Sequence, residues 1–209
     1  MKQSIIFLAV IFLNIFTSLA QMSKIENETS FVKKMELSAS AFKSMESDFK
    51  QIKRIGAFNQ DINSSGKFYY KANDKIALNY TAPLSYLVVI NGDKMKMESD
   101  GKKNIMSLKD NKQMFEMNNI LMACMTGNFS KISNTCQLKY YEDNQQYLVS
   151  IEPKNENVKK YIIRFDIYLN KKDLSVDTLR VSETENDYTE YHFSNKKYNT
   201  LINDSLFKL

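Results

Sequence analysis

The sequence predicts a mainly β protein of the α+β class. We expect an unclosed, half-barrel antiparallel sheet of about ten strands, with an N-terminal helix and a short helical insertion covering its concave face. Three observations support this: strand-like alternation after residue 65, a helical apolar spacing before it, and one methionine-rich stretch that interrupts it. Because a sheet of that size must curl to bury one face, the helices fit the concave side.

The first twenty residues have the layout of a cleaved secretory signal. Lys2 gives a positive start, an apolar run covers residues 5–16, and small residues precede Gln21. The run is too short to span a bilayer comfortably, so we expect cleavage near Ala20 rather than an uncleaved anchor. No cysteine follows the cleavage site. Residues 21–209 are therefore expected to be soluble, without a lipid anchor, and to form a single domain.

The first predicted element is an amphipathic helix from Ser30 to Lys53, with Thr29 or Ser30 able to cap its start. Its apolar residues recur at three-, four- and seven-residue steps, which places them along one side. They are Phe31, Met35, Phe42, Met45, Phe49 and Ile52. Residues 47–55 also tolerate strand alternation, and Gly56 marks a break.

An antiparallel meander follows the helix. Its clearest turn is at Ile90–Asp93, where Asn91-Gly92 tolerates the positive φ angles of a tight hairpin. The predicted strands are 67–71, 75–80, 86–90, 94–98, 104–108, 137–141, 146–151, 161–169, 175–183 and 187–193. The clearest of them places five apolar residues on one face, namely Tyr161, Ile163, Phe165, Ile167 and Leu169. A polar tail closes on Leu206 and Phe207.

Residues 111–130 form the helical insertion. They are predicted to make one or two short helices, bounded by Asn118-Asn119 and Gly127-Asn128. Methionine is flexible and polarisable, and surfaces that fit variable apolar ligands use it heavily. Ordinary core filling is the alternative for any single methionine. The concentration of four in one insertion favours a movable apolar cover.

Composition and motifs disfavour chemistry. The net charge of +5 comes with scattered lysines, which is not the clustered basic face of a nucleic-acid binder. His192, the only histidine, lies in the alternating run Tyr191–Phe193, where a solvent-facing position is favoured over catalysis. The sequence contains no nucleophile elbow, phosphate-binding glycine loop or zinc-binding motif. We expect no enzymatic activity, no cofactor and no metal site.

The two cysteines, Cys124 and Cys136, leave two alternatives open. Export would permit a disulfide, and closing so short a loop would contribute about 3 kcal/mol. Two separate buried thiols are the other alternative. Spacing alone does not decide between them.

Six stretches occur in an order and spacing typical of one family. They are Asp48–Gln51, Ser65–Lys71, Leu78–Pro83, Val89–Lys94, Ile151–Lys154 and Tyr188–Phe193. On these stretches the sequence resembles the periplasmic outer-membrane lipoprotein carrier family, the LolA-like proteins, from about Phe42 to Phe207. The resemblance implies an unclosed antiparallel barrel whose concave face is covered by helices, in agreement with the pattern of periods above.

The resemblance also implies a function. Family members are soluble periplasmic carriers that bind the acyl chains of lipoproteins in a hydrophobic groove. They take this cargo from an inner-membrane lipoprotein-releasing complex and pass it to an outer-membrane acceptor, which is itself a lipoprotein. The missing cysteine after Ala20 favours the carrier over the acceptor, and we expect a monomer. A periplasmic lipid-binding sensor or interaction module of the same fold is the alternative, and a lipid or glycan hydrolase is disfavoured because no nucleophile–base pair is evident.

The predicted groove combines the inward faces of the strands with the helical cover. Its expected lipid-binding residues are Phe49, Phe68, Tyr70, Ile76, Leu78, Tyr80, Met95, Met97, Met114, Met117, Leu121, Met122, Met125, Ile163, Phe165 and Ile167. We expect the segment from Met114 to Met125 to move when cargo enters. One departure concerns the lid: family members often carry an Arg before a Pro where this chain has Ala72-Asn73, so Ala72 implies a different latch.

Overall fold

One antiparallel sheet of twelve strands organises the chain. The structure is a computed structural model that describes residues 22–58 and 60–209. The predicted secretory signal lies outside the described residues. The strands are β1 (Ser23–Lys24), β2 (Ser44–Ile55), β3 (Gln60–Lys71), β4 (Lys75–Ala82), β5 (Tyr86–Asn91), β6 (Lys94–Ser99), β7 (Lys102–Ser107), β8 (Cys136–Glu142), β9 (Gln146–Pro153), β10 (Arg164–Asn170), β11 (Val176–Ser182) and β12 (Tyr188–Tyr198).

Within residues 22–58 and 60–209, three α-helices accompany the sheet. They are α1 (Glu28–Ala41), α2 (Lys112–Thr126) and α3 (Glu156–Lys159). No helix within the described residues is long and apolar enough to cross a membrane.

The sheet is curled but not closed. Its strands run in the order β1-β8-β9-β10-β11-β12-β2-β3-β4-β5-β6-β7, and the end strands β1 and β7 do not pair with each other. Ile90 of β5 and Ile151 of β9, from the two halves of the sheet, share one buried cluster with Met35 of α1 and Ile120 of α2. The two helices therefore fill the concave side. The predicted mainly β, unclosed antiparallel architecture is confirmed.

The predicted helix from Ser30 to Lys53 is wrong beyond Ala41. The next residue, Phe42, has extended backbone angles (φ −84°, ψ 109°), and β2 follows as a strand of 12 residues. The apolar spacing in this stretch fits both periods. The strand is favoured over a continued helix because β2 has hydrogen-bonded neighbours on both sides, β12 and β3, along most of its length. Phe49 consequently faces the core from a strand and not from a helix.

The strand predicted from Tyr161 to Leu169 begins, in the structure, three residues later than predicted. The short helix α3 precedes it, and β10 starts only at Arg164. Tyr161 is 61% exposed, whereas its neighbour Ile162 is buried. Alternation therefore holds from Phe165 onward, and the two residues assigned to the inner face before it, Tyr161 and Ile163, lie outside the strand.

The helical insertion contains one continuous α-helix. Asn118-Asn119 does not break it, because α2 runs through both residues, with Asn118 buried and Asn119 exposed. The Asn111 side chain caps its start by accepting a hydrogen bond from the Met114 N–H (3.0 Å). Gly127 ends it in the left-handed conformation (φ +75°), which glycine adopts without steric cost.

The C-terminal segment packs on the outer face of the sheet. Phe207 and Ile202 form a second, smaller cluster there with Ala77 and Val89. Asp204 accepts from the ammonium groups of Lys71 and Lys75 at 3.1 and 2.9 Å. The outer face is thus partly covered by the chain's own end, which leaves the inner face to form a site.

Candidate functional site

A cavity of about 240 Å³ lies between the inner face of the sheet and α2. Its wall is almost entirely apolar. The lining residues are Phe68, Ile76, Leu78, Ile90, Met95, Leu108, Met114, Met117, Asn118, Leu121, Met125, Ile162, Phe165, Leu179, Val181, Tyr191 and Phe193. Strand pairing explains how distant residues meet: Phe68 lies opposite Leu78, Ile76 opposite Ile90, and Ile90 opposite Met95.

Helix α2 supplies the lid side of the cavity. Met114, Met117, Leu121 and Met125 follow one another at steps of three and four residues, so they lie on one helical face that points at the sheet. Methionine side chains repack at low cost because they have several rotatable bonds. This wall can therefore adjust to apolar groups of different shape.

The structure brings nine of the sixteen predicted site residues together at this cavity. They are Phe68, Ile76, Leu78, Met95, Met114, Met117, Leu121, Met125 and Phe165. Their role in binding a lipid stays a prediction.

Seven predicted site residues do not line the cavity. They are Phe49, Tyr70, Tyr80, Met97, Met122, Ile163 and Ile167. Phe49 and Ile167 are buried in the packed core, and Met97 is 44% exposed on β6. Met122 lies on α2 but away from the stripe that faces the sheet. A residue on the same sheet face or the same helix as the lining residues therefore does not always reach the cavity.

The sequence interpretation missed eight lining residues. They are Ile90, Leu108, Asn118, Ile162, Leu179, Val181, Tyr191 and Phe193. Alternation in β11 and β12 could have suggested four of them, because Leu179 pairs with Tyr191 and Val181 lies one alternation step away. Alternation does not show which of the two faces of a strand points towards the cavity.

Aromatic side chains close one end of the inner face. The Tyr80 and Tyr86 rings stack at 4.0 Å between centroids, and Phe49 meets Tyr80 edge-on at 4.9 Å. The Tyr80 and Tyr191 hydroxyls are 3.3 Å apart and share a hydrogen bond. Burial raises the pKa of both Tyr80 and Tyr191 above the usual tyrosine range, so both phenols stay neutral.

A second cavity of about 260 Å³ adjoins the first near the end of α2. Met125 lines both cavities. The second one is more polar and includes Tyr198, whose hydroxyl is buried without a hydrogen-bond partner among the described residues. Burial raises the pKa of Tyr198 to about 12, with Ser175 nearby opposing the shift.

Few polar contacts hold α2 to the rest of the molecule. Within the described residues, a side-chain hydrogen bond runs from Asn155 Nδ2, at the start of α3, to Glu116 Oε2 on α2 (2.8 Å). Ala72 lies in the turn after β3, where its backbone N–H donates to the Lys43 carbonyl (2.8 Å). The Ala72 methyl group cannot form a hydrogen bond to α2. The hydrogen bond between Asn155 and Glu116 instead links α2 to the rest of the molecule, and the sequence did not predict it.

The two cysteines are both buried and are free thiols in this structure. Burial raises the pKa of Cys124 well above its usual range, and the neighbouring Cys136 raises it further. Burial also raises the pKa of Cys136, partly offset by Thr135. Whether they form a disulfide in an oxidising compartment stays a prediction.

The titratable groups do not converge on the cavity. His192 lies on the outer face, where its Nδ1 is 3.1 Å from the Thr178 hydroxyl and its Nε2 is 2.7 Å from a Glu190 carboxylate oxygen. No cluster of three His, Cys, Asp or Glu side chains that could hold a metal occurs in residues 22–58 and 60–209. Hydrophobic enclosure is the property that this site offers.

A curled, open antiparallel sheet with a helix over an apolar cavity defines a class of open-barrel proteins that can enclose an apolar ligand. The chain belongs to the outer membrane lipoprotein carrier protein LolA family, whose family model matches residues 40–209. Membership confirms the resemblance seen in the sequence, and this fold implies binding of lipids or lipoproteins.

Several solved structures superpose on this one at low sequence identity. An uncharacterised conserved protein from Thermus thermophilus superposes with a TM-score of 0.51 at 6% identity, over 87% of this chain and 94% of that one. The lipoprotein LppX from Mycobacterium tuberculosis gives 0.48 at 11% identity, over 86% of this chain and 99% of that one. A LolA superfamily protein from Nitrosomonas europaea gives 0.44 at 8% identity, over 85% and 97%. Among curated proteins, none matches this sequence.

Proposed function

We propose that this protein is a periplasmic carrier of acylated lipoproteins, which holds their acyl chains under α2 and moves them from the inner to the outer membrane. The observation that carries the proposal is the apolar cavity between the sheet and a methionine-rich helix, in a chain of the lipoprotein carrier family. Its partners would be an inner-membrane releasing complex and an outer-membrane acceptor. The carrier works as a monomer without a cofactor, nucleic acid or chemical step.

The need for such a carrier follows from the hydrophobic effect. Each buried methylene contributes about 0.8 kcal/mol, so a sixteen-carbon chain exposed to water costs on the order of 12 kcal/mol. A lipoprotein with two or three chains will not cross an aqueous space unaided at a useful rate. An apolar cavity removes most of that cost during the transfer.

Cavity size implies that α2 moves. The volume of about 240 Å³ is below the ~300–1,000 Å³ of typical small-molecule sites, and cargo with several chains needs more. Displacing the α2 stripe would open the inner face to the cargo. The stripe then competes with cargo for that face, which lowers the net affinity and permits release to an acceptor.

The test measures binding of a fluorescent triacylated lipopeptide to Leu121→Glu, with Leu37→Glu as the matched control. Leu121 lines the cavity on α2, whereas Leu37 is 65% exposed on α1, so both changes place a glutamate in a helix. We expect Leu121→Glu to weaken binding at least tenfold, because a carboxylate in an apolar site is strongly disfavoured. Leu37→Glu should bind as the wild type does.

Hydrogen exchange and transfer complete the test. Amides of residues 112–126 should exchange faster when the lipopeptide is added, and loaded protein should pass its cargo to acceptor-containing outer-membrane vesicles. Unchanged exchange in α2 would contradict the lid movement. Tight binding without any transfer would support the sensor or interaction module of the same fold and would remove the carrier role.

A further inference from the structure

A polar side chain interrupts the apolar stripe of α2. Asn118 follows Met114 by four residues and precedes Leu121 by three and Met125 by seven, so it lies in the middle of the stripe. It lines the cavity and is only 8% exposed. The helix thus presents a carboxamide to an otherwise apolar chamber.

The Asn118 side-chain oxygen has no hydrogen-bond partner in the part of the chain that the structure describes. Oδ1 is fully shielded and unpaired among the described residues. The other polar group on the wall is different, because the Tyr191 hydroxyl shares its hydrogen bond with Tyr80. An unpaired buried carbonyl lowers the folding equilibrium constant by roughly tenfold, and a leucine of similar size would avoid this loss. A stability cost at the wall of a ligand cavity indicates a role in binding.

We propose that Asn118 selects acyl chains that are attached through an amide, by accepting a hydrogen bond from the amide N–H. The inference rests on the proposed function and names the cargo feature that the cavity recognises. It assigns to Asn118 a specificity role beyond the general apolar burial supplied by its neighbours Met114 and Leu121.

The apolar lining of the cavity favours the amide N–H over the other polar groups near the N-terminus of an acylated protein. An amide N–H is neutral, so it enters an apolar chamber at far lower cost than the ammonium of an unacylated N-terminus. An ester linkage has no N–H, so with the Asn118 carboxamide in the orientation of this structure Oδ1 would stay unpaired beside it. Sites that pair a buried polar group with the correct ligand reject analogues that lack the partner. Asn118 would therefore distinguish N-acylated cargo from cargo with ester-linked chains alone.

The experiment compares two triacylated lipopeptides that differ at one position. In the first, the N-terminal cysteine carries an N-palmitoyl amide. In the second, an ester oxygen replaces that N–H, with chain number and charge unchanged. Dissociation constants are measured for the wild type, for Asn118→Leu and for Asn119→Leu. The last is a matched control, since Asn119 is the next residue of the same helix but is exposed.

We expect the ratio of the ester to the amide dissociation constant to be about tenfold larger in the wild type than in Asn118→Leu. Asn119→Leu should keep the wild-type ratio. A wild type that binds both lipopeptides equally, or an Asn118→Leu protein that keeps the full preference, would overturn the inference. If neither lipopeptide binds the wild type, the proposed carrier function itself fails, so the two failures are distinguishable.

Stability of the empty protein gives an independent measurement. Replacing an unpaired carboxamide by an apolar side chain of similar size should leave the urea midpoint of Asn118→Leu unchanged or raise it. A large fall in the midpoint would show that Asn118 is needed for folding, and this outcome also overturns the inference.

Discussion

The hydrogen bond between Glu116 and Asn155 makes the closed position of α2 open to a quantitative test. Its partners lie on α2 and at the start of α3, and their side chains are partly buried, 2.8 Å apart. The perturbation is Glu116→Ala, which removes the acceptor and keeps a residue that favours helix. Glu36→Ala, at an exposed position of α1, makes the same change without such a partner.

The expected magnitude follows from the geometry. Buried hydrogen bonds to charged groups contribute about 1.5–3 kcal/mol, and partial exposure reduces this pair to about 1 kcal/mol. Losing it from the closed state raises the population of open α2 about fivefold. If only the open form admits cargo, the apparent dissociation constant falls by the same factor. The variant should therefore bind a triacylated lipopeptide about fivefold more tightly.

Two assays check this expectation. Hydrogen exchange of residues 112–126 in the empty protein should accelerate about fivefold in Glu116→Ala, and fluorescence titration should show the tighter binding. Glu116→Gln, which keeps a carbonyl acceptor for Asn155, should recover part of both effects. Faster exchange with unchanged or weaker lipopeptide binding would refute the view that α2 competes with cargo for the cavity. Unchanged exchange would show that the hydrogen bond does not hold the lid.

Two further predictions concern stability. Gly66→Ala should destabilise the protein by about 1–3 kcal/mol in urea unfolding, because a Cβ there would lie 2.1 Å from the Asn79 carbonyl oxygen. In the control Gly101→Ala, the added Cβ has no atom within 4 Å but the backbone has φ +73°, so the loss should be about 1 kcal/mol. Equal losses in the two variants would contradict the steric argument. Burial raises the pKa of Tyr198 to about 12, so the folded protein keeps a proton that the unfolded chain releases, and stability should fall as pH rises from 10 towards 12. Tyr198→Phe should make this fall shallower, and a pH profile identical to that of the wild type would count against the assignment.

The strand pattern shows how much of this fold is local. Strands such as β4 and β5 follow from alternation and from Asn91-Gly92, because a strand's side-chain period and a hairpin's backbone angles depend on neighbouring residues. The region of β2 is different. Its apolar residues satisfy a helical and a strand period together, and only pairing with β12 and β3 selects the strand.

The candidate site divides in the same way. The stripe from Met114 to Met125 follows from composition and helical period, and nine predicted residues do meet at the cavity. The seven others do not reach it, although most were assigned to the correct kind of element. Ile167 and Phe49 share faces with lining residues, yet the core packs over them. Depth within a curled sheet depends on its curvature and on where the helices rest.

The sequence by itself determined the mainly β class, the helical insertion and the apolar character of the groove, since these depend on periodicity and composition along the chain. Tertiary structure alone decided the placement of Asn118. The sequence pattern places Asn118-Asn119 at a boundary of one or two short helices. In the fold both residues are part of one continuous helix, and Asn118 is buried against the cavity. The physical reason is that burial and an absent hydrogen-bond partner are properties of surrounding atoms from distant strands.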